Sequence, residues 1–241
     1  MIPKVIHYCW FGRGEKSELI EKCIAGWRKL LPDYQIKEWS EDNFNIKMNQ
    51  YVCEAYESKK YAFVADFARL YVLYHYGGIY LDTDVEVLKS FDDFIDSHGF
   101  AGFEDQELVS TAILGFEKEN VLIKEWMETY SNKKFVTKGK LSTETNVRVF
   151  TNSLLRCGLL QNKQKQLIKK GEVLIYPVDY FSPLKLGRRT PAITRNTHTI
   201  HWYEGSWLTM GQRIKLLGIL AVKKMIGFKN YNRIKYRIQR R

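Results

Sequence analysis

The apolar stretch Tyr61–Tyr76 constrains the fold more than any other part of the chain. Its residues are aliphatic or aromatic almost throughout, Gly77-Gly78 interrupts it, and the short apolar run Ile79–Leu81 follows. An apolar run of this length predicts a buried helix, and the glycine pair predicts a sharp break before a strand. Helix, break and buried strand in this order are typical of an α/β sheet.

Two carboxylates, Asp82 and Asp84, come directly after that strand. A carboxylate near a core is costly unless it is paired or bound to a cation. If the strand continues through them, both side chains face the same side and can reach one Mg²⁺ or Mn²⁺ together with a diphosphate. Short acidic patterns also occur on solvated turns, but the apolar runs on both sides favour the metal site.

The buried helix also carries Asp66 and Arg69, which are three residues apart and therefore lie on one face. The two side chains can form an ion pair. One alternative is a buried pair that only contributes to packing in the core, and the other is a pair that lines a binding pocket. In a pocket, Asp66 would accept hydrogen bonds from sugar hydroxyls and Arg69 would hold Asp66 or phosphate groups.

The remaining pattern predicts one α/β domain over residues 1–208 that resembles a nucleotide-binding sheet. The first strand ends at Trp10 before a glycine turn, and no Pro/Gly/Ser-rich linker divides the 241 residues. Residues 177–198 are expected to form a long loop. We expect strands at 5–10, 34–39, 79–81, 85–88, 99–103, 111–116, 173–176 and 199–203, and helices at 17–31, 51–59, 61–76, 91–97, 120–131 and 143–157.

Nearly all of the net charge of +11 resides in the C-terminal segment 209–241, which holds five Lys and five Arg and no Asp or Glu and so leaves the body of the chain near neutral. Apolar residues recur there at helical spacing, which predicts a basic amphipathic tail for an anionic membrane surface. A helix packed on the body or a dimerisation helix is the alternative. No nucleic-acid module accompanies the charge, so we expect no nucleic-acid partner. The four cysteines form no metal or disulfide pattern.

Four segments resemble the family 32 glycosyltransferases, the bacterial glycosyltransferases with a DXD sugar-binding motif. Yeast-type mannosyltransferases and, more remotely, clostridial glucosylating toxins are kin of that family. The resemblance covers residues 2 to about 208 and implies a GT-A fold, a nucleotide-sugar donor, Mn²⁺ or Mg²⁺, and transfer with retention of configuration. The segments are IPKVIHYCWFG at 2–12, FVADFAR at 63–69, YGGIYLDTD at 76–84 and HWYEGSW at 201–207.

Matching positions in the resemblance imply the donor-binding residues. Trp10 would stack on the nucleotide base, although a core tryptophan is the alternative. Asp66 would contact donor sugar hydroxyls with Arg69 in support, and Tyr80 would lie near the phosphates or the sugar.

The resemblance also implies the metal ligands. Asp84 would be the principal ligand, and Asp82 would contact the ribose and, directly or through water, the metal. His201 is the expected third ligand, because imidazole suits Mn²⁺. Glu204 or Ser206 could serve instead, and His201 could be structural.

The end of the last motif would cover the donor. Ser206 and Trp207 are expected to fold over the diphosphate, with Trp207 as a lid. Glu104 and Thr111 are candidates for the acceptor side, where a solvated loop and a core strand are the alternatives.

The leading hypothesis is a retaining hexosyltransferase that uses a UDP-sugar, or GDP-mannose, and extends a saccharide or lipid-linked saccharide for a bacterial capsule or O-antigen. No signal-peptide or membrane-spanning pattern is present, so we expect a cytoplasmic enzyme, peripheral on the inner face of the membrane. The alternatives are a haloacid-dehalogenase-like phosphohydrolase, whose DxD normally follows the first strand, and a non-catalytic membrane-binding adaptor.

Overall fold

A computed structural model describes residues 1–204, without 106, 143, 186, 187 and 189, and residue 218 alone beyond them. The predicted tail 209–241 therefore lies outside the described residues, apart from that one position. The strands are β1 Val5–Cys9, β2 Gln35–Trp39, β3 Gly78–Leu81, β4 Val85–Val87, β5 Gly99–Gly102, β6 Ile113–Phe116, β7 Val136–Thr137, β8 Lys140–Leu141, β9 Gln166–Ile168, β10 Val173–Tyr176 and β11 Thr199–His201. The helices are α1 Glu18–Leu30, α2 Gln50–Glu57, α3 Tyr61–Tyr76, α4 Val121–Glu128, α5 Asn146–Arg156 and α6 Val178–Phe181.

Seven strands form a mixed sheet in the order β2-β1-β3-β6-β5-β10-β9. β1 runs parallel to β2 and β3, β6 is antiparallel to β3 and β5, β10 is parallel to β5, and β9 is antiparallel to β10. Side chains of α2, α3, α4 and α5 pack on one face of the sheet and side chains of α1 and β4 on the other, so a buried cluster lies on each face. The expected α/β fold is confirmed.

The glycine pair between α3 and β3 is required by both conformation and space. Gly77 and Gly78 have φ values of 65° and 109°, which lie in the region that other residues rarely adopt. A Cβ on Gly78 would lie 2.6 Å from the carbonyl oxygen of Val5, and one on Gly77 would lie 2.7 Å from the amide nitrogen of Lys118. The break therefore lets β3 enter the sheet directly beside β1.

One predicted helix is wrong: residues 91–97 form turns. The side chains of Phe91 and Phe94 are buried as the apolar spacing suggested. Asp92, however, accepts hydrogen bonds from Ser90 and Tyr34 and pairs with Lys4 at 2.7 Å. Such side-chain bonds compete with helix formation.

Three short elements were not predicted from the sequence: the β7–β8 hairpin, the edge strand β9, and α6 within the expected loop 177–198. Each is only two to four residues long, too short for hydrophobic periodicity to reveal. None of the described helices has the length and apolar character needed to cross a membrane.

His7 ties β1 to the glycine break through a neutral imidazole. Its Nε2 donates to the carbonyl oxygen of Gly77 at 2.8 Å, and its Nδ1 accepts from Trp39 Nε1 at 3.1 Å. A protonated Nδ1 could not accept that bond. Burial lowers the pKa of His7 from 6.5 to about 4; the bond to Gly77 partly opposes this shift, and the charge of Lys37 adds to it.

We expect His7 to destabilise the protein as the pH falls from 6.5 to about 4. In that window the unfolded chain binds a proton that the folded chain does not, so the free energy of unfolding decreases by about 3 kcal/mol in total. Urea denaturation across this pH range measures it. His7→Gln keeps a donor and an acceptor but does not titrate, so its stability should change less over the same window; parallel curves would contradict the assignment.

Candidate functional site

Asp82 and Asp84 lie in a turn between β3 and β4. The amide of Val85 donates to the carbonyl of Asp82 at 3.1 Å, so the strand ends at Leu81. The strand thus ends before Asp82, as predicted, but the expectation that positions 82 and 84 face one side of a strand does not apply, because both lie beyond its end. The turn nevertheless brings them together, and with His201 they offer three ligand atoms within 4.8 Å of one another.

His201 reaches the aspartates because β11 pairs with β4. The register places His201 opposite Val85, and the amide of Trp202 donates to the carbonyl of Asp84 at 3.0 Å. His201 Nε2 then lies 3.3 Å from Asp84 Oδ1. Among the described residues this is the one group of three or more His, Cys, Asp or Glu side chains close enough to hold a metal ion.

The chain after β11 turns back onto Asp84. Tyr203 has a φ of 53°, an uncommon conformation outside glycine, and its ring lies 4.0 Å from that of His201, centroid to centroid. The amide of Glu204 consequently donates to Asp84 Oδ2 at 2.8 Å. Glu204 thus contributes its backbone to the site, and its side chain does not belong to the three-ligand group.

The charges of this group are coupled. Burial would raise the pKa of Asp84, but the charge and hydrogen bond of His201 and the amide of Glu204 hold it below its ordinary value. Burial would lower the pKa of His201, but Asp84, Asp82 and Glu104 raise it. The site therefore carries an excess of acidic groups around one imidazole.

Asp66 and Arg69 join the same network from α3. Arg69 Nη2 donates to Asp66 Oδ1 at 3.0 Å, and Arg69 Nη1 lies 3.3 Å from Asp82 Oδ1. The guanidinium also donates to the carbonyl of Thr111 at 2.6 Å and lies over the Tyr80 ring, 4.6 Å from its centroid. Arg69 is 4% exposed, so it connects the two aspartates from inside the protein.

Asp66 has a second partner that the sequence did not suggest. Asn146, the first residue of α5, donates from Nδ2 to Asp66 Oδ1 at 2.5 Å. Oδ1 thus takes two bonds, while among the described residues none is made to Oδ2. Burial raises the pKa of Asp66 to about 6, against the lowering effect of Arg69. The residues are 80 positions apart, and no local pattern joins them.

Other predicted site residues lie at the same end of the sheet. Tyr80 is buried, and its hydroxyl donates to Asp82 Oδ1 at 3.0 Å. Trp10 follows β1, which is parallel to β3, and is half-buried with Nε1 bonded to the carbonyl of Gly14. Their contacts with a donor remain predictions. Ser206 and Trp207 lie outside the described residues.

The acceptor-side candidates differ in their surroundings. The side chain of Thr111 is buried in the core beside the Arg69 guanidinium that its carbonyl binds. Glu104 follows β5, and burial raises the pKa of its carboxyl while the charge of His201 opposes the shift. Glu104 is therefore close enough to the Asp82–Asp84–His201 group for the charge of His201 to act on its carboxyl.

The downstream acidic pair of the phosphohydrolase hypothesis lies elsewhere. Asp92 Oδ1 pairs with Lys4 and accepts from Tyr34 at 2.9 Å, and the Asp93 side chain is exposed. The strand before the DxD is also the third along the chain, whereas that hypothesis requires the first.

Comparison with known proteins finds a match for the region that contains Asp66, Arg69, Asp82 and Asp84. Residues 17–101 match the glycosyltransferase sugar-binding region containing the DXD motif. The inositol phosphoceramide mannosyltransferase 3 of Schizosaccharomyces pombe is 29% identical over 124 residues, which are 48% of this chain and 34% of that protein. An uncharacterized glycosyltransferase of Acanthamoeba polyphaga mimivirus is 36% identical over 105 residues, 39% of this chain and 40% of that protein.

The fold agrees with the sequence match. The solved structure of the PaToxG glycosyltransferase superposes with a TM-score of 0.50 and 20% identity, covering 64% of this chain and 68% of that one. The chain spans between a third and two fifths of the length of the curated relatives named here. The likeness to the glycosyltransferase sugar-binding region containing the DXD motif thus spans residues 17–101 of this chain.

Proposed function

We propose that this protein transfers a hexose from a nucleotide-sugar donor to a saccharide or lipid-linked saccharide acceptor, with a divalent cation and with retention of configuration. The observation that carries the proposal is the connection through Asp82. Its carboxylate belongs to the Asp82–Asp84–His201 group and also lies 3.3 Å from Arg69, which holds Asp66. In this proposal, one connected group of side chains would bind both the cation and the donor sugar.

The side chains fit a divalent cation. Two carboxylates and an imidazole converge, Asp84 is 8% exposed, and Glu104 adds a third negative charge nearby. Carboxylate oxygens suit Mg²⁺ and Mn²⁺, and an imidazole ligand favours Mn²⁺ of the two. A bound cation would neutralise charge on the departing nucleoside diphosphate.

The protein's own residues hold the donor in place in this proposal. Asp66 would accept hydrogen bonds from sugar hydroxyls at Oδ2, since Oδ1 is occupied by Arg69 and Asn146. Arg69 keeps Asp82 oriented, and Trp10 would stack on the base. Because these groups are fixed before the donor binds, little reorganisation accompanies the charge that develops in the transition state.

The donor and acceptor classes rest on resemblance. The curated relatives include mannosyltransferases whose acceptor is inositol phosphoceramide, which supports a hexose and a lipid-linked acceptor. We favour a UDP-sugar and keep GDP-mannose as the second choice. A role in bacterial surface polysaccharide synthesis at the inner face of the membrane, with residues 209–241 on anionic lipid, stays a prediction. No feature of the described residues favours a non-catalytic adaptor.

A thermal-shift screen of UDP- and GDP-sugars, with and without Mn²⁺, tests the proposal. A donor at about 100 times its Kd stabilises the folded state by about 2.7 kcal/mol, which raises the Tm of a protein of this size by roughly 5 °C or more. We expect one nucleotide class to produce this shift only with Mn²⁺. Equal melting curves for all donors with Mn²⁺ present would contradict the function.

A further inference from the structure

A second basic region lies on the body of the protein, and its residues are separate in sequence from the basic segment 209–241. The sequence between Glu144 and Glu172 contains two Arg and four Lys and no Asp or Glu. The lysines are Lys163, Lys165, Lys169 and Lys170, which surround the edge strand β9. A local excess of one charge of this kind attracts an anionic surface.

Exposed leucines lie among these lysines. Lys165 and Lys169 flank β9 at its two ends, and Leu167 is the middle residue of the strand. Leu167 is 55% exposed, and Leu160 is 62% exposed. Gln166 fastens Leu160 beside the strand, because its side chain accepts from the Leu160 amide and donates to the Leu160 carbonyl, both at 2.8 Å. We call Leu160, Lys163, Lys165, Leu167 and Lys169 the basic edge.

The charges of the basic edge are available to a partner. Lys170 pairs with Glu125 at 2.5 Å, whereas no carboxylate among the described residues pairs with Lys163, Lys165 or Lys169. Lys165 instead lies over the Tyr176 ring, 4.7 Å from its centroid. A short edge strand with lysines at both of its ends is also poorly suited to pairing with a strand from another protein.

The basic edge begins at the same end of the sheet as the candidate site. β9 is antiparallel to β10, and β10 runs in the same direction as β5 and β3, so β9 begins at the end of the sheet where Asp82 lies. Gln161 Nε2 donates to the carbonyl of Glu107 at 2.8 Å. That carbonyl belongs to the loop that follows Glu104, which senses the charge of His201.

We propose that the basic edge docks on a phospholipid bilayer with anionic headgroups, with Leu160 and Leu167 entering the headgroup layer. The combination of residues favours a bilayer over a soluble polyanion. Lysines alone would serve a polyanion, whereas exposed leucines between them gain free energy only from an apolar layer. The inference stands independently of the proposed transfer reaction.

Vesicle co-sedimentation of the full chain tests the docking. The variant K163Q/K165Q/K169Q should bind vesicles of phosphatidylcholine and phosphatidylglycerol more weakly by about fivefold per lysine. The matched control K29Q/K47Q/K59Q removes the same charge from exposed positions elsewhere and should lose much less. Equal losses in the two variants would overturn the proposal, because the effect would then be one of total charge.

The leucines separate a bilayer from a soluble polyanion. L160S/L167S should weaken vesicle binding severalfold and leave heparin binding unchanged, while the control L30S/L141S, at leucines that are 43% and 42% exposed, should affect neither. Unchanged vesicle binding by L160S/L167S would overturn the bilayer as partner. Donor hydrolysis without vesicles should stay unchanged in every variant. If the unsubstituted protein hydrolyses no donor, that result contradicts the proposed transfer reaction and leaves the docking proposal unaffected.

Discussion

Replacing Asp84 by Asn is expected to lower Mn²⁺-dependent hydrolysis of the donor on the order of 10³-fold in a protein that still folds. The amide oxygen can still accept from the Glu204 backbone, as Asp84 Oδ2 does at 2.8 Å. It carries no charge, however, so the group retains one carboxylate and one imidazole for a divalent cation. The loss should therefore appear first as weaker metal binding and then as lost turnover.

Isothermal titration with Mn²⁺ and a coupled assay for released nucleoside diphosphate measure the two steps. Asp93→Asn is the matched control, because it removes an exposed carboxylate nearby in the sequence. The control should bind Mn²⁺ and hydrolyse donor like the unsubstituted protein. Undiminished Mn²⁺ affinity in Asp84→Asn would disprove the assigned ligand, whatever happens to turnover.

Replacing Arg69 by Met is expected to lower the free energy of unfolding by about 3–5 kcal/mol, the largest stability effect we predict. The methionine fills similar space but leaves Asp66, which is 8% exposed, without its cation. Asp82 loses the same partner at 3.3 Å, and the Thr111 carbonyl loses a donor at 2.6 Å. Removing one member of a buried network costs more than the network contributes as a whole, because the remaining groups stay buried and unpaired.

Urea denaturation of Arg69→Met, Asp66→Asn and the double variant measures the coupling. The double variant should be more stable than the sum of the single losses, since Asn is neutral and needs no cation. Arg13→Met is the control, because Arg13 pairs with Asp42 at 2.6 Å while the two side chains are 66% and 72% exposed. That exposed pair should be worth no more than about 1 kcal/mol. A comparable loss in both Arg variants would contradict the assignment.

Local signals in the sequence predicted the centre of the molecule well. α3 has the predicted bounds because its apolar run ends at a glycine pair, and β10 has them because four apolar residues stand between a charged stretch and Pro177. The i, i+3 spacing also predicted the pair of Asp66 and Arg69. These features depend on neighbours in the chain, which a sequence displays directly.

Features that depend on distant contacts were not predictable in the same way. The 91–97 turn resembles a helix until Lys4 and Tyr34 are known to hold Asp92. Asn146 is an ordinary polar residue in the sequence, and only the fold brings the start of α5 close enough to α3 for it to bind the Asp66 carboxylate. The family resemblance suggested His201 as a metal ligand. The pairing of β11 with β4 explains why His201 lies beside Asp84.

The β4–β11 pair also has a consequence for how the protein is made. Glu204 and Asp84, which it brings into contact, are 120 residues apart in the chain. Closing a loop of that length costs conformational entropy before the stabilising contacts between β4 and β11 can form. This pairing is therefore expected late in folding. During synthesis the two aspartates leave the ribosome long before their histidine. A nascent chain can therefore fold most of its sheet before His201 is available to the aspartates. The three side chains come together only when β11 pairs with β4.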